Sequence, residues 1–307
     1  KGWRVFMNLL QLRYFKLLAE NEHMHKTADE LHISAPSLSA TIARLERELG
    51  VQLFDRNKNR LKLNRYGNIL LKHVLDAFAS LENARQEIED MNHQQHNRLA
   101  IAITSPTIYH KTFEAFLKEF PDINTSYTVV KINDWLVADS LMFYDFILTS
   151  PIDIVGNDWE YELLCEDDRA VLAVYKGHPL AAMEETRFIE TKNEKFIALS
   201  LGHSMRRYFD LLCNAAGFVP NIIIECDYQM RSKLVSEHYG ITLTTESGVR
   251  SKSQTWNADD ISFVRIIDPG VKRPQGILWN KRRYISKAAS LFREFIISYY
   301  KNHPFGD

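Results

Sequence analysis

The most constraining feature of this chain is the stretch from residue 24 to residue 65, where apolar helical patterns are followed by a basic hairpin. Apolar residues recur at helical spacing over 24–31 and again over 38–49, which predicts two short helices. The two residues between the helical patterns leave room only for a sharp corner. Ser34 can cap the second helix, and Pro36 suits its first turn. The pattern predicts a helix-turn-helix.

A two-stranded wing is predicted to follow these helices. Gly50 ends the second helix, residues 51–54 form a short apolar strand, and Leu61 and Leu63 return on alternate residues. For the helices alone, a helical hairpin inside a larger all-α core is the alternative interpretation. The wing favours a winged helix-turn-helix instead.

Positive charge is concentrated at this end of the chain. Up to residue 65 there are 12 Lys and Arg against 7 Asp and Glu, a net charge of +5, whereas the remainder carries −6 of the total of −1. A charge run of this kind is often only a solvated face. Its position on the predicted wing suits contacts with phosphate groups.

Several short motifs of this region lie at fixed spacing. They are the opening helix with Leu12, Tyr14 and Phe15 (an L-x-x-F pattern), LHIS at 31–34, PSLS at 36–39, RLERELGVQLFDR at 44–56, and the L-x-x-x-G pattern of Leu63 and Gly67. Together they resemble the LysR-type transcriptional regulators of bacteria. Ala35 and Ala40 stand where family members often carry Gln and Arg or Lys, and these departures concern the operator sequence rather than the fold.

The resemblance implies a multidomain protein, which a length of 307 residues allows. An all-α winged helix-turn-helix N-terminal domain (7–65) is followed by a long linker helix (66–92). A two-lobed α/β effector-binding domain (93–307), similar to periplasmic solute-binding proteins, completes the chain. By the same analogy, lobe I comprises about 99–166 and 267–302, and lobe II about 167–266.

Candidate DNA-binding residues are the small polar side chains at the start of the second helix and the basic side chains there and on the wing. They are Ser34, Ala35, Pro36, Ser37, Ser39, Arg44, Arg56, Lys58 and Arg60.

The predicted linker helix carries a narrow apolar seam with alternating steps of four and three residues. The seam consists of Leu70, Val74, Ala77, Leu81, Ala84 and Ile88, and continues to Met91. Packing on its own domain is one interpretation, but the polar flanks suit a single partner helix. In the resembled family this helix pairs with its copy in a second subunit, so a homodimer or homotetramer is expected.

Beyond residue 98 the pattern changes to alternating strands and helices, which predicts α/β architecture. The predicted strands are 99–103, 123–130, 145–149, 170–175, 195–199, 222–226, 240–244, 261–266 and 276–279. Amphipathic helices are predicted over 107–119, 203–216, 229–238 and 286–301.

Hydroxyls and one imidazole follow several of these strands, where an α/β sheet normally binds its ligand beside helix N-termini. Candidate effector-binding residues are Thr104, Ser105 and Thr107 after the first strand, Thr149 after the third, Ser200, His203 and Ser204 after the fifth, and Thr245 after the seventh. We expect an anionic or polar effector, such as a carboxylate. Simple helix capping is the alternative for each residue.

Signals for other functions are missing from the sequence. Phosphate-loop, dinucleotide, zinc-protease and hydrolase-elbow motifs are absent, so no enzyme and no cofactor are predicted. The spacing of Cys165, Cys213 and Cys226 fits no zinc or redox motif and predicts reduced thiols, with a redox-sensing pair left open. His93 and His96 have no further ligand nearby in sequence, and no metal site is predicted.

The sequence also limits where the protein acts. No apolar run approaches the roughly 20 residues that span a bilayer, and the opening KGWRVF is too short and too polar for a signal peptide, so a cytoplasmic protein without membrane contact is expected. Its expected partners are double-stranded promoter DNA, a small-molecule effector, a second copy of itself and RNA polymerase. The alternative function is a non-enzymatic small-molecule-binding protein whose helical N-terminus makes protein contacts.

Overall fold

The structure is a computed structural model that describes residues 7–57, 60–91, 97–131, 144–153, 158–251, 256–257, 259–303 and 305. The chain divides into two compact units between Arg85 and Gln86, within one long helix. Each unit is described by itself below.

The N-terminal unit contains a three-helix head, a two-stranded wing and most of the long helix. Its elements are α1 (Leu9–Asn21), α2 (Met24–Glu30), α3 (Ala35–Leu49), β1 (Phe54–Asn57), β2 (Arg60–Leu63) and α4 (Arg65–Met91). The predicted helix-turn-helix is therefore confirmed. The sharp corner contains His32 in the left-handed region at φ 53°, and Gly50 ends α3 at φ 71°. Phe15, Leu38 and Leu45 are fully buried and form the centre of this unit.

The wing is confirmed as an antiparallel pair, but its first strand begins later than predicted. The strand starts at Phe54, and the prediction that Val51 and Leu53 belong to it was wrong. The backbone N–H groups of both residues instead donate hydrogen bonds to a residue near the end of α3. Val51 N–H donates to the Glu46 carbonyl at 3.2 Å, and Leu53 N–H donates to the Glu46 carboxylate at 2.8 Å.

The C-terminal unit is α/β, as predicted. In chain order its elements are β3 (Arg98–Ile103), α5 (His110–Glu119), β4 (Asn124–Val129), β5 (Phe146–Thr149), β6 (Trp159–Cys165), β7 (Ala170–Tyr175), β8 (Glu185–Thr186), β9 (Lys195–Leu199), α6 (Ser204–Ala216), β10 (Asn221–Cys226), α7 (Tyr228–Ser236), β11 (Thr242–Thr245), α8 (Glu246–Arg250), β12 (Ile261–Ile266), β13 (Gln275–Asn280) and α9 (Lys287–Asn302). Short 3-10 turns follow some of the strands, including Pro151–Asp153 after β5.

Two sheets define two lobes in this unit. The sheet of lobe I has the order β4-β3-β5-β13-β6, and β13 runs antiparallel to both neighbours. The sheet of lobe II has the order β11-β7-β12-β8, and the parallel pair β9 and β10 adjoins β11 through a bridge between Phe196 and Ile241. The chain therefore crosses between the lobes after β6 and again before β13. Each lobe has its own apolar core, centred on Phe116 and Phe292 in lobe I and on Phe188 and Phe196 in lobe II.

Three elements were not predicted: β6, β8 and α8. Strand β6 carries Glu160 and Glu162. Its first five residues, those before Leu164, are all exposed or half-buried. An edge strand with so little buried surface lacks the apolar run by which the other strands were recognised. Strand β8 has two residues and α8 has five, which is too short for a periodic pattern.

The structure also bears on the predictions about membrane spans and cysteines. No helix within the described ranges is long and apolar enough to cross a membrane. Cys165, Cys213 and Cys226 are all free thiols, of which only Cys213 is buried. His93 and His96 lie outside the described residues.

Candidate functional site

The two crossing segments of the C-terminal unit are bonded to each other. Asp168 N–H donates to the Arg273 carbonyl at 2.9 Å, and Arg273 N–H donates to the Asp167 carboxylate at 3.0 Å. The Arg273 side chain is only 1% exposed and pairs with the Asp168 carboxylate at 3.6 Å. The junction of the lobes is thus a buried polar centre rather than an apolar one.

A chain of hydroxyls and a carboxylate joins lobe I to lobe II at this junction. Thr104 Oγ1 donates to Thr149 Oγ1 at 2.8 Å, and Thr149 Oγ1 donates to the Asp153 carboxylate at 3.2 Å. From lobe II, Ser204 Oγ donates to the same Asp153 oxygen. Arg273 Nη2 in turn donates to Ser204 Oγ at 3.1 Å. The ends of β3, β5 and the start of α6 therefore meet through side chains.

The polar chain continues into lobe II through Asp168. Its carboxylate accepts hydrogen bonds from the Ser247 N–H at 3.0 Å and from the Ser247 hydroxyl at 2.6 Å. Ser247 Oγ lies 3.1 Å from Thr245 Oγ1, which also caps α8. Thr245 therefore belongs to the junction and acts as a helix cap at once.

A second group of side chains surrounds Tyr228, the first residue of α7. The Tyr228 hydroxyl donates to the Thr104 carbonyl at 3.4 Å and lies 3.5 Å from Ser105 Oγ. The His203 ring meets the Tyr228 ring edge to face, with centroids 5.2 Å apart. The Arg231 guanidinium lies over the Tyr228 ring at 5.3 Å from its centroid. This group also joins the lobes, because Thr104 and Ser105 belong to lobe I.

Six of the eight residues predicted from the sequence come together in these two groups. They are Thr104, Ser105, Thr149, His203, Ser204 and Thr245. Ser200 lies apart, since its hydroxyl donates to the Cys226 carbonyl at 3.2 Å. Thr107 is half-buried and lines a small cavity beside Tyr299 and Tyr300.

The expectation that the residues after the first strand begin a helix was wrong. Helix α5 starts at His110 with Tyr109 as its N-cap, so Thr104, Ser105 and Thr107 lie in the preceding loop. Helix α6 begins at Ser204, one residue after the predicted start at 203. The side chain of its N-cap residue, His203, makes no capping hydrogen bond.

Important members of the site were missed in the sequence. Asp153, Asp168, Arg231 and Arg273 are charged side chains of the two groups described above. Tyr228 could have been found, because it comes two residues after the end of strand β10, as the predicted residues come shortly after their strands. For the four charged residues no local signal existed, since nothing in their immediate sequence marks them as buried.

Burial dominates the electrostatics of this junction. It raises the pKa of Asp153, although hydrogen bonds from Ser204 and Thr149 and the charge of Arg273 act in the opposite direction. Burial also lowers the pKa of His203 below its ordinary value, so its imidazole is neutral at pH 7.

Several buried polar atoms at the junction have no hydrogen-bond partner among the described residues. They are Ser150 Oγ, His203 Nδ1, Arg231 Nε, Arg273 Nε and Gln275 Nε2. Each of the five can donate a hydrogen bond, and the two arginine nitrogens and the glutamine nitrogen can only donate. Unpaired buried donors are costly, so the junction is suited to a ligand rich in acceptors.

The predicted DNA-binding residues lie at the start of α3 and on the wing. The Ser34 hydroxyl accepts a hydrogen bond from Ser37 N–H at 3.3 Å, so it serves as the N-cap of the helix. Solvent reaches the other predicted residues of this helix: Ala35, Pro36, Ser37, Ser39 and Arg44. The backbones of Arg56 and Arg60 lie in β1 and β2, but their side chains and all of Lys58 lie outside the described part of the structure.

The predicted seam of the long helix α4 divides into two parts. Val74 is 2% exposed and packs within its own chain, together with Leu71 and Leu75. Leu81 is 50% exposed and Ile88 is 58% exposed. Leu70 is half-buried, and Ala77 and Ala84 are exposed. Only the C-terminal part of the seam is therefore open to a partner.

Among the residues that the structure describes, no group of three or more His, Cys, Asp and Glu side chains is placed to hold a metal ion.

A winged helix-turn-helix unit, a long helix and a two-lobed α/β unit with a polar junction together define a ligand-responsive DNA-binding regulator. Comparison with known proteins gives the family. The family model described as "LysR substrate binding domain" matches residues 92–301, and the one described as "Bacterial regulatory helix-turn-helix protein, lysR family" matches residues 9–68. The chain belongs to the LysR family of transcriptional regulators.

Individual relatives agree over nearly the whole length. The transcriptional dual regulator GltC of Bacillus subtilis (strain 168) is 30% identical over 300 residues, covering 96% of this chain and 98% of GltC. The HTH-type transcriptional regulator YybE of the same organism is 28% identical over 294 residues, covering 94% and 98%. A full-length OxyR variant from Pseudomonas aeruginosa shares the fold with a TM-score of 0.64 at 20% identity, covering 97% of this chain and 96% of that one.

Proposed function

We propose that this regulator binds promoter DNA through α3 and its wing, and that a small anionic or polar effector bound between its lobes controls that binding. The observation that carries the effector part is the set of buried, unpaired hydrogen-bond donors at the junction of the lobes. A carboxylate offers up to four acceptor positions and would pair with such donors without needing one in return.

The same proposal gives the chain a binding role and no catalytic step. In this proposal the buried Ser204 hydroxyl links the lobes, because it donates to the Asp153 carboxylate of lobe I and accepts from the Arg273 guanidinium. The neighbouring His203 ring packs on Tyr228. We expect the protein to act in the cytoplasm, where its DNA lies, and to have RNA polymerase as a further partner.

The effector proposal is tested with purified full-length protein and a panel of small carboxylates and inorganic phosphate, by calorimetry. Ser105→Ala removes a hydroxyl beside Tyr228, and Ser204→Ala removes one beside Asp153. Any probe that binds the wild type should bind each variant about tenfold more weakly, because Ser105→Ala removes a hydrogen-bond donor and Ser204→Ala releases the Asp153 carboxylate to repel an anion. Ser236→Ala, on the exposed end of α7, is the matched control. Equal affinity for all four proteins would contradict an effector site at the junction.

The DNA part assigns different roles to α3 and to the wing. Small side chains that solvent reaches, such as Ser39, can approach base edges, whereas Arg56 on the wing carries the charge that phosphates attract. The rival function, protein contacts through the helical N-terminus, involves neither role.

Mobility-shift assays with the DNA beside its own gene separate these roles. Arg56→Ala should weaken binding to all sequences and reduce the slope of log K against log salt by about 1. Ser39→Arg should change which sequence is preferred. Arg187→Ala, in lobe II, is the control and should change neither property. If both variants lost the same affinity for specific and for random DNA, α3 and the wing would not have the different roles proposed here. If the protein showed no salt-sensitive binding to DNA, the rival function would be favoured.

A further inference from the structure

Arg231 on α7 is a buried cation for which the described residues supply no anion. Its side chain is only 6% exposed, one guanidinium nitrogen donates to the Leu243 carbonyl at 3.0 Å, and Nε has no partner. Within the described part of the chain, no Asp or Glu oxygen lies within 4.0 Å of this guanidinium. The carboxylate nearest in sequence, that of Asp227, accepts the N–H groups of Gln229 and Met230 instead.

The other buried arginines of this unit are neutralised by the chain itself. Arg206 is 9% exposed and pairs with Asp210 at 3.1 Å and with Glu225 at 2.5 Å. Arg273 pairs with Asp168 at 3.6 Å. Burial of a charge without a partner is strongly unfavourable, so the contrast with Arg231 needs an explanation.

The surroundings of Arg231 stabilise its charge only in part. Its guanidinium lies between two aromatic rings, 5.3 Å from the centroid of Tyr228 and 5.0 Å from that of Trp256. Ring faces attract cations, and they leave the edge of the guanidinium available to an acceptor. Burial nevertheless lowers the pKa of Arg231 below its ordinary value. A bound anion would reverse that effect.

The position of Arg231 connects it with the junction of the lobes. It lies over the ring of Tyr228, whose hydroxyl contacts Thr104 and Ser105 of lobe I. The His203 ring, whose Nδ1 is also unpaired, packs on the same tyrosine. Two unpaired nitrogens, from α6 and α7, therefore flank one ring at the boundary between the lobes.

We propose that Arg231 binds the carboxylate or phosphate group of the effector beside Tyr228. This inference rests on the proposed function, which places an effector between the lobes, and adds the residue that receives its charge. An oxyanion can accept two parallel hydrogen bonds from Nε and a terminal nitrogen of one guanidinium. His203 Nδ1 would supply a further contact.

The first test compares two neutral substitutions in the full-length protein in chloride buffer. Arg231→Met removes an uncompensated charge and should raise the thermal unfolding midpoint by about 2 °C or more. Arg206→Met, the matched control, breaks an ion pair and should lower the midpoint. A purely structural Arg231 would behave like Arg206, because the bond to Leu243 and both ring contacts are lost. A lower midpoint, or failure of both Arg231→Met and Arg231→Gln to fold, would overturn the proposal.

The second test adds sodium acetate, sodium succinate or inorganic phosphate at an ionic strength matched with chloride. The wild-type midpoint should rise with at least one of these anions, and the Arg231→Met midpoint should not. Which anion raises the midpoint shows whether the site prefers a carboxylate or a phosphate. An equal rise of the midpoint in both proteins would overturn the role of Arg231. The proposed site at the junction would still stand if Ser105→Ala weakened the binding of that anion. No rise of the wild-type midpoint with any of the three anions would also overturn the proposal.

Discussion

Asp153 occupies the place where the sequence led us to expect the charged group of a ligand. Its carboxylate accepts the hydroxyls of Ser204, at the start of α6, and of Thr149, at the end of β5, and the charges of Arg207 and Arg273 lie nearby. Burial still raises its pKa above the ordinary value of 3.8. Folding therefore favours the protonated acid, and stability that is fully present below that value is lost as the pH rises through the raised pKa.

The direction of this pKa shift predicts how the stability of the Asp153→Asn variant will depend on pH. Asn cannot ionise, so the unfolding free energy of the wild type relative to the variant should fall as the pH rises above about 4. Urea denaturation at a series of pH values measures the difference. Asp158→Asn, at an exposed ion pair with Arg282, is the control and should not show this fall. A difference that grows with pH would mean that the hydrogen bonds outweigh burial.

Sequence predicts the hydroxyls of the site but not its charges. Thr104 and Ser204 follow recognisable strands and Thr149 ends one, so a local rule finds them. The charged partners of Ser204 lie far away in the chain: Asp153 is 51 residues from it, and Arg273 is 69 residues from it. Which distant acid or base becomes buried beside a given hydroxyl depends on how the two lobes pack, and no local pattern encodes that packing.

At the scale of elements, the junction of the wing with α4 depends on one glycine. A Cβ atom at Gly67 would lie 2.3 Å from the Leu53 carbonyl and 2.5 Å from a Leu63 methyl carbon. The first distance involves backbone, which cannot turn aside as a flexible side chain can. The L-x-x-x-G motif of the sequence thus has a steric explanation.

Gly67→Ala should therefore destabilise the N-terminal unit, by about 1–3 kcal/mol as for other overpacked sites. Chemical denaturation followed by circular dichroism measures the loss. Lys72→Ala on the exposed face of α4 is the control, and its effect should stay within about 0.5 kcal/mol. Equal stability of the two variants would show that the wing moves aside freely.

Elements with a strong internal period were predictable, and those defined by their neighbours were not. Helix α3 buries Leu38, Ile42 and Leu45 on one face, and that spacing can be read directly from the sequence. Strand β6 exists because β13 pairs with it along six residues, including Gln275 opposite Cys165. The cause of β6 therefore lies more than a hundred residues away from it.

At the scale of the whole molecule, α4 offers a surface for a second subunit. Its C-terminal part exposes Leu81 and Ile88, whereas Val74 is already buried in the same chain. We propose that dimers form through this part of the helix. Two recognition helices could then meet two half-sites of an operator at once.

Leu81→Asp combined with Ile88→Asp should convert the dimer to monomer, because buried charges replace apolar contacts. Sedimentation velocity measures the mass. The affinity of the double variant for an operator with two half-sites should also fall. Glu87→Ala, on an exposed position of the same helix, should leave the mass unchanged. If the double variant keeps the dimer mass, the subunits associate elsewhere.

The pairing of the two crossing segments limits how the lobes can respond to a ligand. Asp168 and Arg273 bind each other through backbone and side chain, so these segments behave as one double-stranded hinge. Pulling the lobes apart would break a buried ion pair, whereas swivelling about the hinge would preserve it. We therefore expect an effector signal in this protein to change the angle between the lobes rather than their separation.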